Sequence, residues 1–280
     1  MNQKLFNEDY LRHLCQQYDL IPSKKYGQNF LLQPEVIDKM VAAGEIKTDD
    51  TVVEVGPGFG VLTLALAEHA KQVITFEIEK KLTTYWEDQQ KQHKNIEVVW
   101  GNVLYEFEKQ AALQSKPYSV VANLPYQITS HVMRKFLETA HKPDVLVLMV
   151  QKEVAERICA QAGEMSVLAL SVQYYGNPEI VTQVPRSYFW PMPAVDSAVI
   201  KIKIHHRQTS AAEDSIFFKI VKAGFVSRRK MLVKNLGSIA DKNSIRALFT
   251  KIGLNEKVRA QELTLDQWRV LSKELLGANV

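Results

Sequence analysis

Asn123-Leu124-Pro125-Tyr126 places an amide, a proline-restricted carbonyl and an aromatic ring at four consecutive positions. That set can grip a planar amine. The Asn123 amide oxygen accepts one N–H, and Tyr126 offers a stacking face. Pro125 biases Leu124 toward extended backbone, so the Leu124 carbonyl can accept a second N–H. The tetrapeptide follows Tyr118-Ser119-Val120-Val121-Ala122, an apolar run that predicts a buried strand. It therefore falls at a strand C-terminus, the edge of an open α/β sheet where ligands collect. Taken alone, the four residues read equally well as a strand-to-helix turn with a core tyrosine.

A second constellation precedes it. Glu54-Val55-Gly56-Pro57-Gly58-Phe59-Gly60 ends an apolar run and opens a helix expected from near Val61. Glycines there permit a tight turn and let a ligand approach the backbone closely. NAD, FAD and S-adenosylmethionine enzymes all use such loops. This one has GxGxG rather than GxGxxG spacing, which favours S-adenosylmethionine, a cofactor with no pyrophosphate to cradle. Glu77 closes the next apolar run, 21 positions after Gly56, where a carboxylate can accept hydrogen bonds from both ribose hydroxyls. Trp100-Gly101-Asn102 closes a third run. Asn102 would face the adenine of the cofactor, and it fits a plain Gly-Asn turn equally well.

These residues need a sheet to hold them. Thr51–Val55, Gln72–Phe76, Ile96–Val99, Tyr118–Ala122 and Val145–Val150 read as strands alternating with amphipathic stretches, the pattern of βαβ units on a parallel sheet. Met165–Tyr175 reads as a helix. Glu179–Val184 and Ser197–Ile204 read as two further strands, joined by a proline-rich link too short for a helical crossover and so antiparallel. The fold class is α/β: a Rossmann-like, mostly parallel seven-stranded sheet with an antiparallel strand, followed by a small all-α domain. A domain boundary is expected near residue 208, dividing a 1–207 catalytic domain from a helical 208–280 domain.

Composition is that of an ordinary globular protein, with 46% apolar and 24% charged residues. No apolar stretch is long enough to cross a bilayer, and no signal peptide is expected from the acidic N-terminus. Cys15 and Cys159 stand alone, without metal or redox spacing; they are expected as reduced, buried thiols in a cytoplasmic protein, and no metal is expected. Charge is asymmetric. Residues 1–200 hold 19 Lys/Arg against 24 Asp/Glu, and residues 201–280 hold 16 against 7. An acidic body with a basic tail suits an enzyme that handles nucleic acid, although charge alone favours a solvated helical face. In the tail, Phe225-Val226-Ser227-Arg228-Arg229-Lys230 is expected on a helix, where Arg228, Arg229 and Lys230, with Lys222 and Lys234, would contact phosphates.

Together the motifs resemble the class I methyltransferases and, more narrowly, the rRNA adenine-N6 dimethyltransferase family. The resemblance runs from about Ile21 to the C-terminus. It is carried by Gly27-Gln28-Asn29-Phe30-Leu31, the glycine loop, Glu77, Asn123–Tyr126 and Gln151-Lys152-Glu153-Val154-Ala155-Glu156-Arg157. Phe189-Trp190-Pro191-Met192-Pro193-Ala194-Val195-Asp196-Ser197 and Phe225–Lys230 complete it. It implies S-adenosylmethionine held by Asn29, Leu31, Gly56, Gly58, Glu77, Asn102 and Asn123. It also implies that Tyr126 and Phe189 sandwich a flipped adenine. The implied substrate is a pair of neighbouring adenosines near the 3′ end of small-subunit rRNA, within an immature small subunit, and the enzyme is expected to be a monomer. Three positions depart from the family pattern. Asn102 stands where an Asp is usual, Gln127 replaces a common Asn, and the link from Arg157 to Ser166 is short.

The expected chemistry is aim rather than strong base catalysis. The adenine amine is a poor nucleophile because its lone pair is delocalised. Asn123 and the Leu124 carbonyl would turn that lone pair toward the methyl donor, to within roughly 3–3.5 Å. Their bonds would strengthen as the nitrogen pyramidalises. Other readings stay open: an assembly factor that binds pre-rRNA with weak or lost catalysis, an erythromycin-resistance-type enzyme of large-subunit rRNA, or an adenine methyltransferase acting on DNA or another RNA.

Overall fold

The computed structural model describes residues 2–23, 27–205 and 210–277. Two short strands and seven longer ones form in chain order: β1 (Phe30–Leu31), β2 (Thr51–Val55), β3 (Gln72–Glu77), β4 (Ile96–Trp100), β5 (Tyr118–Asn123), β6 (Val145–Gln151), β7 (Gly176–Val184), β8 (Phe189–Trp190) and β9 (Ser197–Ile204). β2, β3, β5 and β6 are apolar on both faces and almost wholly buried, as strands covered on both sides must be. The seven-stranded sheet has the order β4-β3-β2-β5-β6-β9-β7. Pairs from β4 through to β6 are parallel, for example Val53 beside both Ile74 and Val120. β9 runs antiparallel to β6, with Leu148 opposite Ile200. β1 and β8 pair separately, Leu31 opposite Phe189.

Strand order reverses between β2 and β5, so their C-terminal ends flank a crevice. Gly56 follows β2, Glu77 ends β3, Asn102 lies two residues past β4 and Asn123 ends β5. One edge of the sheet thus collects the chemistry that the sequence distributes over some seventy positions.

The helices before β9 are α1 (Glu8–Gln17), α2 (Pro34–Ala43), α3 (Val61–Ala67), α4 (Thr83–Gln92), α5 (Val103–Glu106), α6 (Thr129–Glu138), α7 (Lys152–Ile158) and α8 (Val167–Tyr175). After β9 come α9 (Ala211–Gly224), α10 (Leu232–Asn235), α11 (Lys242–Lys251) and α12 (Leu265–Gly277). The chain forms two compact units, Met1–Ala155 with Asn177–Ile204, and Glu156–Gly176 with His205–Val280. The boundary expected between residues 207 and 208 lies outside the described residues. Glu156–Gly176 groups with the tail, a division no composition change announces.

Within the second unit, Gly163 and Met165 donate backbone N–H bonds to the Gln261 carbonyl at 2.8 and 3.2 Å. Tyr174 stacks on Phe217, centroids 4.3 Å apart, and its hydroxyl donates to Asp214 at 2.8 Å. A capping box between Ser210 and Glu213 starts α9.

The Phe225–Lys230 segment is a turn, not a helix. α9 stops at Gly224, where a Cβ would come 2.4 Å from the Trp268 ring. Asn235 Nδ2 then donates to the carbonyls of Gly224 and Ser227, at 2.6 and 2.9 Å. Those bonds take carbonyls away from any continuing helix. Cys15 is buried, Cys159 is only half-buried rather than buried as expected, and neither forms a disulfide.

Candidate active site

The glycine loop is fixed by its backbone. Gly56, Gly58 and Gly60 have φ of +73°, +54° and +83°, left-handed values that favour glycine. Gly60 caps α3, and a Cβ on it would meet Trp86 at 2.8 Å. α4 holds the loop from outside: Trp86 Nε1 donates to the Gly58 carbonyl at 3.0 Å and the Tyr85 hydroxyl to the Phe59 carbonyl at 2.7 Å.

Glu77 is 5% exposed. Its Oε1 accepts N–H bonds from Ile78 and Glu79 at 2.7 and 2.8 Å, and its Oε2 accepts one from Gly58 at 3.3 Å. Burial raises its pKa, and the three N–H donors oppose that shift. A carboxylate has about four lone-pair sites, so capacity remains on Oε2 for a hydroxyl donor. Asn102 Oδ1 accepts the Leu104 N–H at 3.0 Å and so caps α5. Its neutral oxygen already serves the helix.

Asn29, Leu31, Gly56, Gly58, Glu77, Asn102 and Asn123 all line one cavity of about 150 Å³. Asn29 Nδ2 donates to the Gly27 carbonyl at 3.3 Å, and Leu31 is held by the pairing of β1 with β8. Among the described residues the lining includes two carboxyls, Glu54 and Glu77, and no Lys, Arg or His. Such a wall opposes a pyrophosphate and suits a neutral or cationic ligand.

Glu54 escaped sequence reasoning as a functional residue. It lies within β2, 2% exposed, and accepts the Thr63 hydroxyl at 2.6 Å. Burial pushes its pKa up to about 8. The signal available was one acid inside an otherwise apolar strand. Ile78, 45% exposed at the cavity, also escaped notice.

At the end of β5, the Asn123 side chain makes no hydrogen bond to a described residue, and no described residue donates to the Leu124 carbonyl. Asn123 is half-buried in the cavity wall, whereas Leu124 is 1% exposed and, like Tyr126, outside that wall. The Tyr126 ring is half-buried, and its hydroxyl is bonded to Ser197. Phe189 is 4% exposed, packed in the hydrophobic core, and outside the cavity wall. The structure thus gathers the seven cofactor candidates but does not present Phe189 as an open ring. Lys222 lies near the end of α9 and Lys234 in α10, with Arg228, Arg229 and Lys230 in the turn between them. All five are exposed, and none pairs with a described acid. Among the described residues no cluster of metal-ligating side chains occurs, and no helix is long and apolar enough to cross a membrane.

The sheet order and the glycine loop at the β2 end define a class I methyltransferase fold. Comparison with known proteins narrows the class. The family model for ribosomal RNA adenine dimethylase matches residues 22–276. The chain is 41% identical to a ribosomal RNA small subunit methyltransferase A of Dehalococcoides mccartyi, over 93% of this chain and 90% of the relative. To the protein of that description in Clostridioides difficile it is 37% identical, over 96% of each. Among solved structures, a dimethyladenosine transferase from Plasmodium falciparum superposes with a TM-score of 0.77 at 25% identity, covering 89% of this chain and 98% of that one. The 23S rRNA methyltransferase ErmE superposes at 0.72 and 26%, covering 88% and 99%. The chain belongs to the ribosomal RNA adenine dimethylase family.

Proposed function

We infer that this protein transfers methyl groups from S-adenosylmethionine to the exocyclic N6 of two adjacent adenosines near the 3′ end of small-subunit rRNA, acting on an immature small subunit. Both ErmE and the dimethyladenosine transferase share its architecture. The curated relatives at 41% and 37% identity carry the small-subunit description, and they favour that substrate over large-subunit rRNA.

The cofactor site fits its ligand by donor chemistry. Left-handed glycines leave the loop without side chains that would fill the cavity. Glu77 Oε2 accepts a ribose hydroxyl, Asn102 faces the adenine, and Asn29 and Leu31 cover the site from the N-terminal side. S-adenosylmethionine supplies an electrophilic methyl on a sulfonium, and Glu77 in the wall suits that positive charge.

The observation that carries the reading is the Asn123 side chain, in the cavity wall at the end of β5 and without a hydrogen-bond partner among the described residues, followed in the chain by the Leu124 carbonyl, to which no described residue donates. They accept the two N–H bonds of the adenine amine and direct its lone pair at the methyl donor. Because an amine losing conjugation becomes a better donor, these bonds favour the transition state. Tyr126 stacks on the extruded base, a contact worth roughly 1–3 kcal/mol. Phe189 is its proposed opposite face, which requires β8 to yield ring surface when the base arrives. The five exposed cations of the second unit bind rRNA phosphates. Mass spectrometry of rRNA from a strain lacking the protein tests the assignment: two neighbouring dimethyladenosines should vanish from small-subunit rRNA. Full methylation there would refute it.

A further inference from the structure

We propose that Ser197 is a positioning residue for base capture, its hydroxyl fixing the Tyr126 ring in the orientation that receives adenine. The proposal rests on the stacking role given to Tyr126 above. Tyr126 opens a three-residue 3-10 turn, Tyr126–Ile128, that has no side-chain cap. So short a turn leaves its first side chain weakly fixed by local structure.

The fixing comes from the sheet. Ser197 is the first residue of β9, wholly buried, and opposite Gln151 of β6. One residue earlier, the Asp196 carbonyl accepts the Lys152 N–H at 3.0 Å. The Ser197 hydroxyl is thus carried on backbone that cannot wander. It lies 2.7 Å from the Tyr126 hydroxyl, and neither side chain has another hydrogen-bond partner among the described residues. Tyr126 cannot swing away without leaving a buried serine hydroxyl unpaired, which is costly.

The same strand start serves the opposite ring. Asp196 Oδ1 accepts the Arg186 N–H at 2.9 Å, at the head of the turn Arg186–Tyr188 that leads into Phe189. Two adjacent residues therefore tie down both segments that carry the proposed rings.

A ring tethered at its para position loses little further freedom when a base stacks on it. The benefit belongs to alignment of the amine, not to RNA affinity, which phosphate contacts dominate. It should appear in kcat and not in the RNA KM.

The test uses full-length Ser197→Ala, Tyr126→Phe, their double variant and Tyr126→Ala, assayed on undermethylated small subunits. Ser197→Ala and Tyr126→Phe should each lower kcat about fivefold, the factor of one net hydrogen bond, with RNA KM within about twofold. The double variant should be no slower than either single one. A wild-type kcat in either single variant, a multiplicative double loss of roughly 25-fold, or a defect confined to KM overturns the proposal. If Tyr126→Ala is slow while Tyr126→Phe and Ser197→Ala are normal, stacking stands and the tether falls. A normal Tyr126→Ala removes both. Should Ser197→Ala fail to fold, Tyr126→Phe alone decides, since it keeps the ring and loses the bond.

Discussion

The backbone of Gly27 lies against Pro125: a Cβ on Gly27 would stand 2.9 Å from both the Cα and the Cβ of Pro125. Gly27 also has φ +61°. The segment that leads into Asn29 and Leu31 is therefore seated on the turn that carries Asn123 and Tyr126, and only a glycine permits the approach. Gly27→Ala should cost about 1 kcal/mol of stability through the left-handed backbone. By displacing the segment it should slow methyl transfer roughly tenfold or more. Urea titration and a single-turnover assay report the two effects separately, and a wild-type rate would show that the contact is incidental.

Glu54 gives the protein a pH signature. Its pKa stands near 8 in the folded chain because of burial, against about 4.3 for a solvated Glu. The folded state thus holds a proton that the unfolded state releases. Stability from this group is complete below about pH 4 and declines as pH rises through 8, because the folded state binds more protons over that window. The decline should amount to a few kcal/mol. Glu54→Gln keeps an acceptor for Thr63 and cannot ionise, so its unfolding free energy should lose that slope. Equal slopes in the two proteins between pH 5 and 8 would place the Glu54 charge elsewhere.

Asn102 both caps α5 and faces the proposed adenine site. Aspartate caps as well as asparagine does and adds a charged acceptor for the adenine amine. Asn102→Asp should tighten S-adenosylmethionine binding by about 1 kcal/mol, the difference between a charged and a neutral hydrogen bond. Calorimetric titration measures this directly. Unchanged affinity would leave Asn102 as a helix cap alone.

The turn after α9 is built by Asn235, whose amide bonds to Gly224 and Ser227 do not involve the cations. Replacing Arg228 and Arg229 with Ala should therefore spare the fold. It should weaken RNA binding at low salt and reduce the slope of log affinity against log salt by about 1–2. An unaltered slope would mean that these arginines are solvated and not on phosphate.

Most of the sheet was legible because apolar runs of five or six residues between helical stretches have few alternatives. Thr51–Val55 and Ser197–Ile204 have the predicted limits, and the other runs extend by one to three residues. That Gly56, Gly58, Glu77, Asn102 and Asn123 would meet at one cavity was legible because strand ends were; Asn29 and Leu31 came from the family resemblance alone. The turn at Phe225–Lys230 was not: what stops α9 is the indole of Trp268 against Gly224 and the amide of Asn235, both contributed from farther along the chain. Periodicity carries no trace of such contacts. Neither did it disclose that Glu156–Gly176 joins the tail, or that Phe189 is buried opposite Leu31. The Asn123–Tyr126 turn was legible as chemistry, but its anchor at Ser197, 71 residues after Tyr126, was not.

The central claim is that Asn123 aims the amine. In a single-turnover assay with saturating enzyme and S-adenosylmethionine, Asn123→Ala should reduce the methyl-transfer rate roughly 10²–10³-fold, the scale of removing one transition-state hydrogen bond. Affinity for undermethylated small subunits should stay within a few-fold of wild type. A rate equal to wild type at saturation would contradict the account.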